Sequence, residues 1–529
     1  MGSAAERMEL VPEPRLGIYV QDRRSKRARR RRLASWFILV STAFLYGALF
    51  AFLPPAFIPA LSLPLVLLLL LVIWALPATH FAPTRTMAWL FWAFYIALIV
   101  WPNYLAISLP GLPWITLLRI SGIPLTLLLL ISVSISISFR QELRDILSEV
   151  SAVWKLLVAF CILEFLSIPF SRDPFDSASK VFISQVDWTA IFFVSCFIFK
   201  RPQQVTRWLY LLAVMVLIVC GIAAWEWRLG HVPWAGHIPS ILKIQDESVQ
   251  RILAGGRRAA TGIYRTQSTF STSLGLAEFL ALAAPFIIYL FMSAKRFSVR
   301  AGMIVLLIIM FVTILNTDSR LGSVGFFVAI LMTTALWAGV TWKRQKRSIL
   351  APALLLSYPG LVALFLAATF ASHRLHRIVW GGGETQFSTD SRLEQFHKAI
   401  PLILRRPFGY GAGKGAEALG FTNPSGTLTL DSYYLTIALE YGLIGFVCYY
   451  GMFIAAGVYS FRSMLSSKDS KYDILIPLMV SIAVFIVVKS VFSQQDTHPL
   501  VFMILGMVAG VLRHRREYEQ GTSASERIP

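Results

Sequence analysis

The chain reads "MIVLLIIMFVTIL" from Met303 to Leu315, "NTDSRLGS" from Asn316 to Ser323, and "VGFFVAILMTTALWAGV" from Val324 to Val340. With its adjoining residues, each apolar flank is long enough to cross a bilayer as a helix. Eight residues between two such runs make a hairpin. A turn is satisfied by Asn316 and Gly322 and needs no charge. Asp318 and Arg320, two positions apart, therefore require another explanation.

Runs of this kind recur along nearly the whole chain. Of its 529 residues, 56% are hydrophobic and 15% are charged; soluble domains carry about 25% charged residues. The pattern predicts an all-α integral membrane protein with about fourteen transmembrane helices. The ranges are 33–53, 57–76, 87–102, 115–138, 153–170, 179–200, 206–226, 270–293, 300–316, 321–341, 348–371, 432–460, 473–492 and 498–512. A basic tail (1–32) precedes this polytopic region (33–512), and a second tail (513–529) follows it. The four cysteines, Cys161, Cys196, Cys220 and Cys448, lie in apolar runs without CxxC spacing and read as buried thiols. No cleavable leader and no repeat between the two halves is read.

The formal net charge of +21 could suggest nucleic acid, but the placement of the charge argues against it. The cluster "RRSKRARRRR" (Arg23–Arg32) abuts the first apolar run, where basic residues fix topology or meet anionic lipid. With both termini in the cytoplasm, Lys and Arg concentrate in alternate short loops: Arg140 and Arg144; Lys200, Arg201 and Arg207; Lys295, Arg296 and Arg300; Lys343 to Arg347; Arg462, Lys468 and Lys471. The exception is the turn with Arg172 and Lys180, expected outside. On this topology the outer face carries two long segments, near 226–269 and 372–431. The second contains "DSRLEQFHKAIPLILRR" (Asp390–Arg406), where Leu393, Phe396, Ile400 and Ile403 repeat at helical spacing. This predicts an amphipathic helix at the membrane surface.

Ionisable residues within spans are costly and mark functional candidates. They are Arg119, Glu164, Asp187, Glu278, Asp318, Arg320, Asp431, Glu440 and Lys489, and all fall at the outer end of the predicted spans. The outer surface is also rich in arginine, including Arg265, Arg392, Arg405 and Arg406. The arginine fork suits phosphate oxygens, so an outer polar site for an anionic lipid head group is expected. Ordinary anchoring and carboxylate pairing account for most of these arginines. No metal site is predicted: His231, His237, His373, His376, His397 and His498 show no paired-ligand spacing beyond the surface-type "HRLH". No nucleotide-binding loop is present, and no cofactor is expected.

Three patches resemble one known family. "ILNTDSRLGSVGFFVAIL" resembles the TxSR hairpin of the O-antigen ligase and polymerase family. "SRLEQFHKAIPLILRRPFGYGAGKG" is similar to its outer-loop pattern, and "LDSYYLTIALEYGLIGF" to its HN.YL..L.E.G..G segment. "YRTQSTFSTSLGLAEFLALAAP" (Tyr264–Pro285) resembles its R..GTF motif. The resemblance covers roughly 260–460, in order.

It implies an inner-membrane glycosyltransferase of GT-C-like architecture. Such an enzyme acts on undecaprenyl-diphosphate-linked oligosaccharide at the periplasmic face, without metal or nucleotide. Arg320, Arg265 and Arg392 match arginines that hold the diphosphate, Glu440 matches the family glutamate, and Asp318 and Glu278 lie beside the motifs as supporting residues. The chain departs where the family has HN: Asp431 and Ser432 stand there. Asp431, in the histidine's place, is the candidate base; equally it could orient a sugar hydroxyl or pair with Arg320. The missing histidine favours a polymerase over a ligase that moves glycan to the lipid A core. A lipid-linked oligosaccharide transporter and an export scaffold are the other readings. Expected partners are the lipid-linked substrate and the bilayer, with a flippase and a chain-length regulator as neighbours and no nucleic acid.

Overall fold

The computed structural model describes residues 58–525 except 80, 109–113, 243–246, 255–263, 348, 372–385, 423–425 and 467–472, together with scattered positions between 33 and 48. The tail 1–32 and most of the first predicted span lie outside the described residues, as do His373 and His376. Residues 1–66 with 110–112 form one compact unit, of which little is described, and 67–109 with 113–529 form the other.

The protein is an all-α integral membrane protein. Its described helices, in chain order, are α1 (Ile58–Trp74), α2 (Thr84–Val100), α3 (Leu117–Ile135), α4 (Ile137–Ser148), α5 (Ser151–Ser167), α6 (Pro174–Ser184), α7 (Ala190–Ile198), α8 (Pro202–Leu229), α9 (Glu247–Ala254), α10 (Ser273–Ser293), α11 (Phe297–Asn316), α12 (Arg320–Arg344), α13 (Leu350–Ala371), α14 (Gln386–Arg405), α15 (Gly415–Leu419), α16 (Tyr433–Ser466), α17 (Leu475–Lys489) and α18 (His498–Ser525). Among the described residues, nine helical stretches are long and apolar enough to cross a membrane, with shorter apolar helices at 64–74, 84–100 and 475–489. From 57–76 onward, every range read from hydropathy holds an apolar helix.

Close helix approach follows from small residues, since lipid supplies no hydrophobic force between helices. On α12, a Cβ at Gly322 would stand 2.6 Å from Ala277 of α10, and one at Gly325 would stand 2.9 Å from Val488 of α17. On α18, the pair Gly506 and Gly510 lets the helix lie against the backbone of Phe192, Cys196 and Phe199. α10 is thereby buried over most of its length. Around it a large aromatic and aliphatic core forms, including Tyr95, Trp208, Phe286, Tyr449 and Phe453.

One end of the bundle collects charged contacts. Lys200 pairs with Glu142 at 3.1 Å and with Glu517 at 3.0 Å, Arg513 pairs with Asp145 at 3.4 Å, and Arg344 pairs with Asp473 at 2.6 Å. These join loops that the charge pattern assigns to one side. The loop expected at Arg140 and Arg144 is instead the amphipathic helix α4, which buries Phe139, Leu143 and Ile146. Its apolar spacing of four and three lay inside a segment short enough to read as a connection.

Candidate functional site

At the other end, α11 stops at Asn316 and α12 starts at Arg320. The turn is tight because Asp318 takes a left-handed backbone (φ 50°), which aspartate tolerates better than most residues. Ser319 then caps α12, its Oγ accepting from the Gly322 N–H at 3.1 Å. Arg320 is thus the first residue of a long helix, where exposed amide donors and the helix dipole favour an anion.

Arg265 arrives at this turn from a distant part of the chain. Its Nε donates to the Thr317 carbonyl at 2.9 Å, and the Thr266 N–H donates to the Asn316 carbonyl at 3.2 Å. The segment carrying it is buried from Thr266 to Thr269. Glu226, on the last turn of α8, pins that segment. Its carboxylate accepts from the Tyr264 hydroxyl at 2.7 Å, the Gln267 N–H at 3.0 Å and the Ser268 N–H at 2.6 Å. Sequence reading placed Glu226 at the edge of an outer loop; the structure buries it completely. The signal was "AAWEWRLG", an acid one turn before an apolar run ends.

Asp431 and Arg392 form a second group. Arg392 Nε lies 3.9 Å from Asp431 Oδ2, and both side chains remain about a third exposed, at 34% and 39%. The Asp431 N–H donates to Gln395 Oε1 at 3.0 Å. The arginine placed against Asp431 is thus Arg392, one turn before Gln395 on α14. That helix exists as expected, but it packs on α16 through Ala399, Leu402 and Ile403, whereas Leu393, Phe396 and Ile400 are exposed.

Glu440 lies beneath the glycine-rich loop 407–415. α16 breaks at Gly442 (φ 72°), and the loop takes over the backbone bonding lost there. The Tyr410 N–H donates to the Leu439 carbonyl at 2.8 Å, and the Gly411 N–H to the Glu440 carbonyl at 3.1 Å. The Glu440 carboxylate lies close against the loop: a Cβ at Gly415 would stand 3.3 Å from its Oε1. Lys180, the exception in the loop charges, packs on Gly413 and pairs with Asp176 at 2.9 Å. Lys414 pairs with Asp176 and with Glu417, each at 3.0 Å. Burial works against its ammonium, but those two carboxylates outweigh it and hold the Lys414 pKa above the ordinary lysine value.

Glu278 is fully buried and pairs with Lys489 at 3.0 Å; the Thr497 hydroxyl donates to its other oxygen at 2.7 Å. A buried pair of this kind tolerates the loss of neither member alone. Next to Thr497, His498 is buried and stacks on Trp188, ring centroids 5.0 Å apart. Glu164 accepts from Ser184 at 2.9 Å and from Gln185 at 2.6 Å. These ionisable residues are therefore divided into separate groups, and Asp187, also buried, has no hydrogen-bond partner for its Oδ1 among the described residues. Among the described residues, no three His, Cys, Asp or Glu side chains gather as a metal site.

Residues 305–450 match the family model described as "O-Antigen ligase". The matched region contains Asp318, Arg320, Arg392, Asp431 and Glu440; Arg265 and Glu278 precede it. No curated protein matches the chain. This region of the membrane protein is similar to the O-antigen ligase and polymerase family.

Proposed function

We propose that this O-antigen ligase/polymerase-type enzyme is a polysaccharide polymerase, joining undecaprenyl-diphosphate-linked repeat units at the periplasmic face of a bacterial inner membrane. In the reaction, an acceptor sugar hydroxyl attacks the anomeric carbon of the donor. The carbon–oxygen bond to the diphosphate breaks with inversion, and the electron pair leaves on the diphosphate. Asp431 takes the hydroxyl proton, or holds that hydroxyl in line, with Arg392 setting its orientation.

The observation that carries this reading is the convergence of Arg265 on the turn between Asp318 and Arg320, at the start of α12. Two guanidinium groups and a helix N-terminus suit a diphosphate, and donors fixed beforehand stabilise charge as it develops on a leaving group. The chemistry uses no metal. Asp431 and Ser432 stand where the family has HN, and this departure from the ligase motif favours polymerisation.

Deletion of the gene tests the reading. A polymerase loss leaves single repeat units on the cell surface. Long polymer stranded on the lipid carrier would instead indicate a ligase, and units trapped in the cytoplasm a transporter. A chelator is expected to leave turnover unchanged.

A further inference from the structure

At the end of the bundle remote from Arg320, a cavity of about 320 Å³ opens between the start of α2, the end of α7 and the start of α8. Arg85, Arg201 and Arg207 line it, with Gln204, Trp89 and Trp92. None of these arginines makes an ion pair among the described residues, whereas neighbouring Lys200 has two carboxylates. The Arg207 guanidinium lies over the Trp92 ring at 5.0 Å. Among the described residues, positive charge thus accumulates here without a carboxylate within ion-pair distance.

The backbone adds to it. The cap residues of α2 and α8, Pro83 and Arg201, make no side-chain cap hydrogen bond. Two helix starts therefore bring their positive dipole ends to the same cavity. The apolar side is graded. Trp89 is one turn deeper along α2 than Arg85, and Trp92 nearly another turn, on the same face. Trp89 is 70% exposed on an otherwise apolar helix, as an indole at a membrane surface is. Phe197 and Ile198 continue the apolar wall.

We propose that this cleft binds the phosphate head group of an anionic membrane lipid, with its acyl chains along Trp89 and Trp92. Arginine forks match phosphate oxygens, and basic pockets between membrane helices hold such head groups. Free phosphate would need the cations but not the exposed indole. Arg207 and Glu226 share α8 and stand about 28 Å apart by helical rise. The cleft is therefore a membrane thickness away from the donor site, and the proposal does not depend on which glycan the enzyme extends.

The test is lipid binding by the detergent-purified full chain, read by thermal shift and by mass spectrometry of retained lipid. The probes are phosphatidylglycerol, phosphatidylcholine and inorganic phosphate. Phosphatidylglycerol should bind about tenfold or more tightly than the other two, and R85Q/R207Q should lose about tenfold or more of that affinity. W89A, which leaves every charge in place, should lose retained lipid several-fold, and decides the matter if the double variant fails to fold. R296Q, at the start of α11, should bind as the wild type does. Equal binding of phosphatidylcholine, an equal shift with inorganic phosphate, or wild-type binding by W89A and R85Q/R207Q would each overturn the proposal.

Discussion

Arg265 Nε donates to the carbonyl of Thr317 at 2.9 Å, so two segments about fifty residues apart in sequence become one side of a site. The contact seats Arg265 on the turn that ends in Arg320. It also assigns a task to Glu226, whose carboxylate fixes the backbone just after Arg265.

Arg320 is expected to be needed in the transition state more than for folding. Arg320→Ala should lower kcat at least about a hundredfold, the usual cost of losing one preorganised donor to a developing anion. Arg320→Lys should recover part of it, because charge remains but the fork is gone. Steady-state rates with a lipid-linked donor, alongside size-exclusion profiles of each variant, separate lost chemistry from lost folding.

Arg392 and Asp431 should behave as a unit. With their charged atoms 3.9 Å apart and both partly exposed, the pair stabilises the fold little. Asp431→Asn and Arg392→Gln should each slow turnover about tenfold or more while leaving the melting temperature nearly unchanged. The double variant should be close to the slower single one, since contacting residues are not additive. Independent, multiplying losses would dissolve the unit.

Gly442 should not accept a side chain. Its φ is 72°, and a Cβ would stand 1.8 Å from the Pro407 carbonyl oxygen. Gly442→Ala is expected to cost about 3 kcal/mol or more and to displace the loop over Glu440. Thermal unfolding in detergent would show it as a lower midpoint, accompanied by lost activity.

The pair Glu278 and Lys489 should show a compensated double variant. Lys489→Met alone leaves a buried carboxylate, at a cost of about 3–5 kcal/mol. Combining it with Glu278→Gln should recover much of that loss. A double variant less stable than either single one would mean that the pair contributes more than mutual neutralisation.

The spans were legible because hydropathy is a local property: α11 and α12 can be read directly from the residues around Asn316. Asp318 and Arg320 stood out for the same reason, as charges against an apolar background. The partners were not legible. Glu226 meets Gln267, and Lys489 meets Glu278 across more than two hundred residues; no periodicity encodes such pairings. The break in α16 was hidden too, because a glycine inside an apolar run is common in membrane helices. What identifies Gly442 as a break is the loop around Pro407 that packs against it. α14 was found from its apolar stripe, yet of that stripe only Ile403 docks, beside Ala399 and Leu402, while Leu393, Phe396 and Ile400 stay exposed.

The most direct measurement is chain extension by the purified protein in proteoliposomes supplied only with undecaprenyl-diphosphate-linked repeat units. The account predicts a ladder of lipid-linked products, each one repeat longer than the last, which Arg320→Ala abolishes. No ladder from the wild type, with glycan transfer appearing only once a lipid A core acceptor is added, would contradict it.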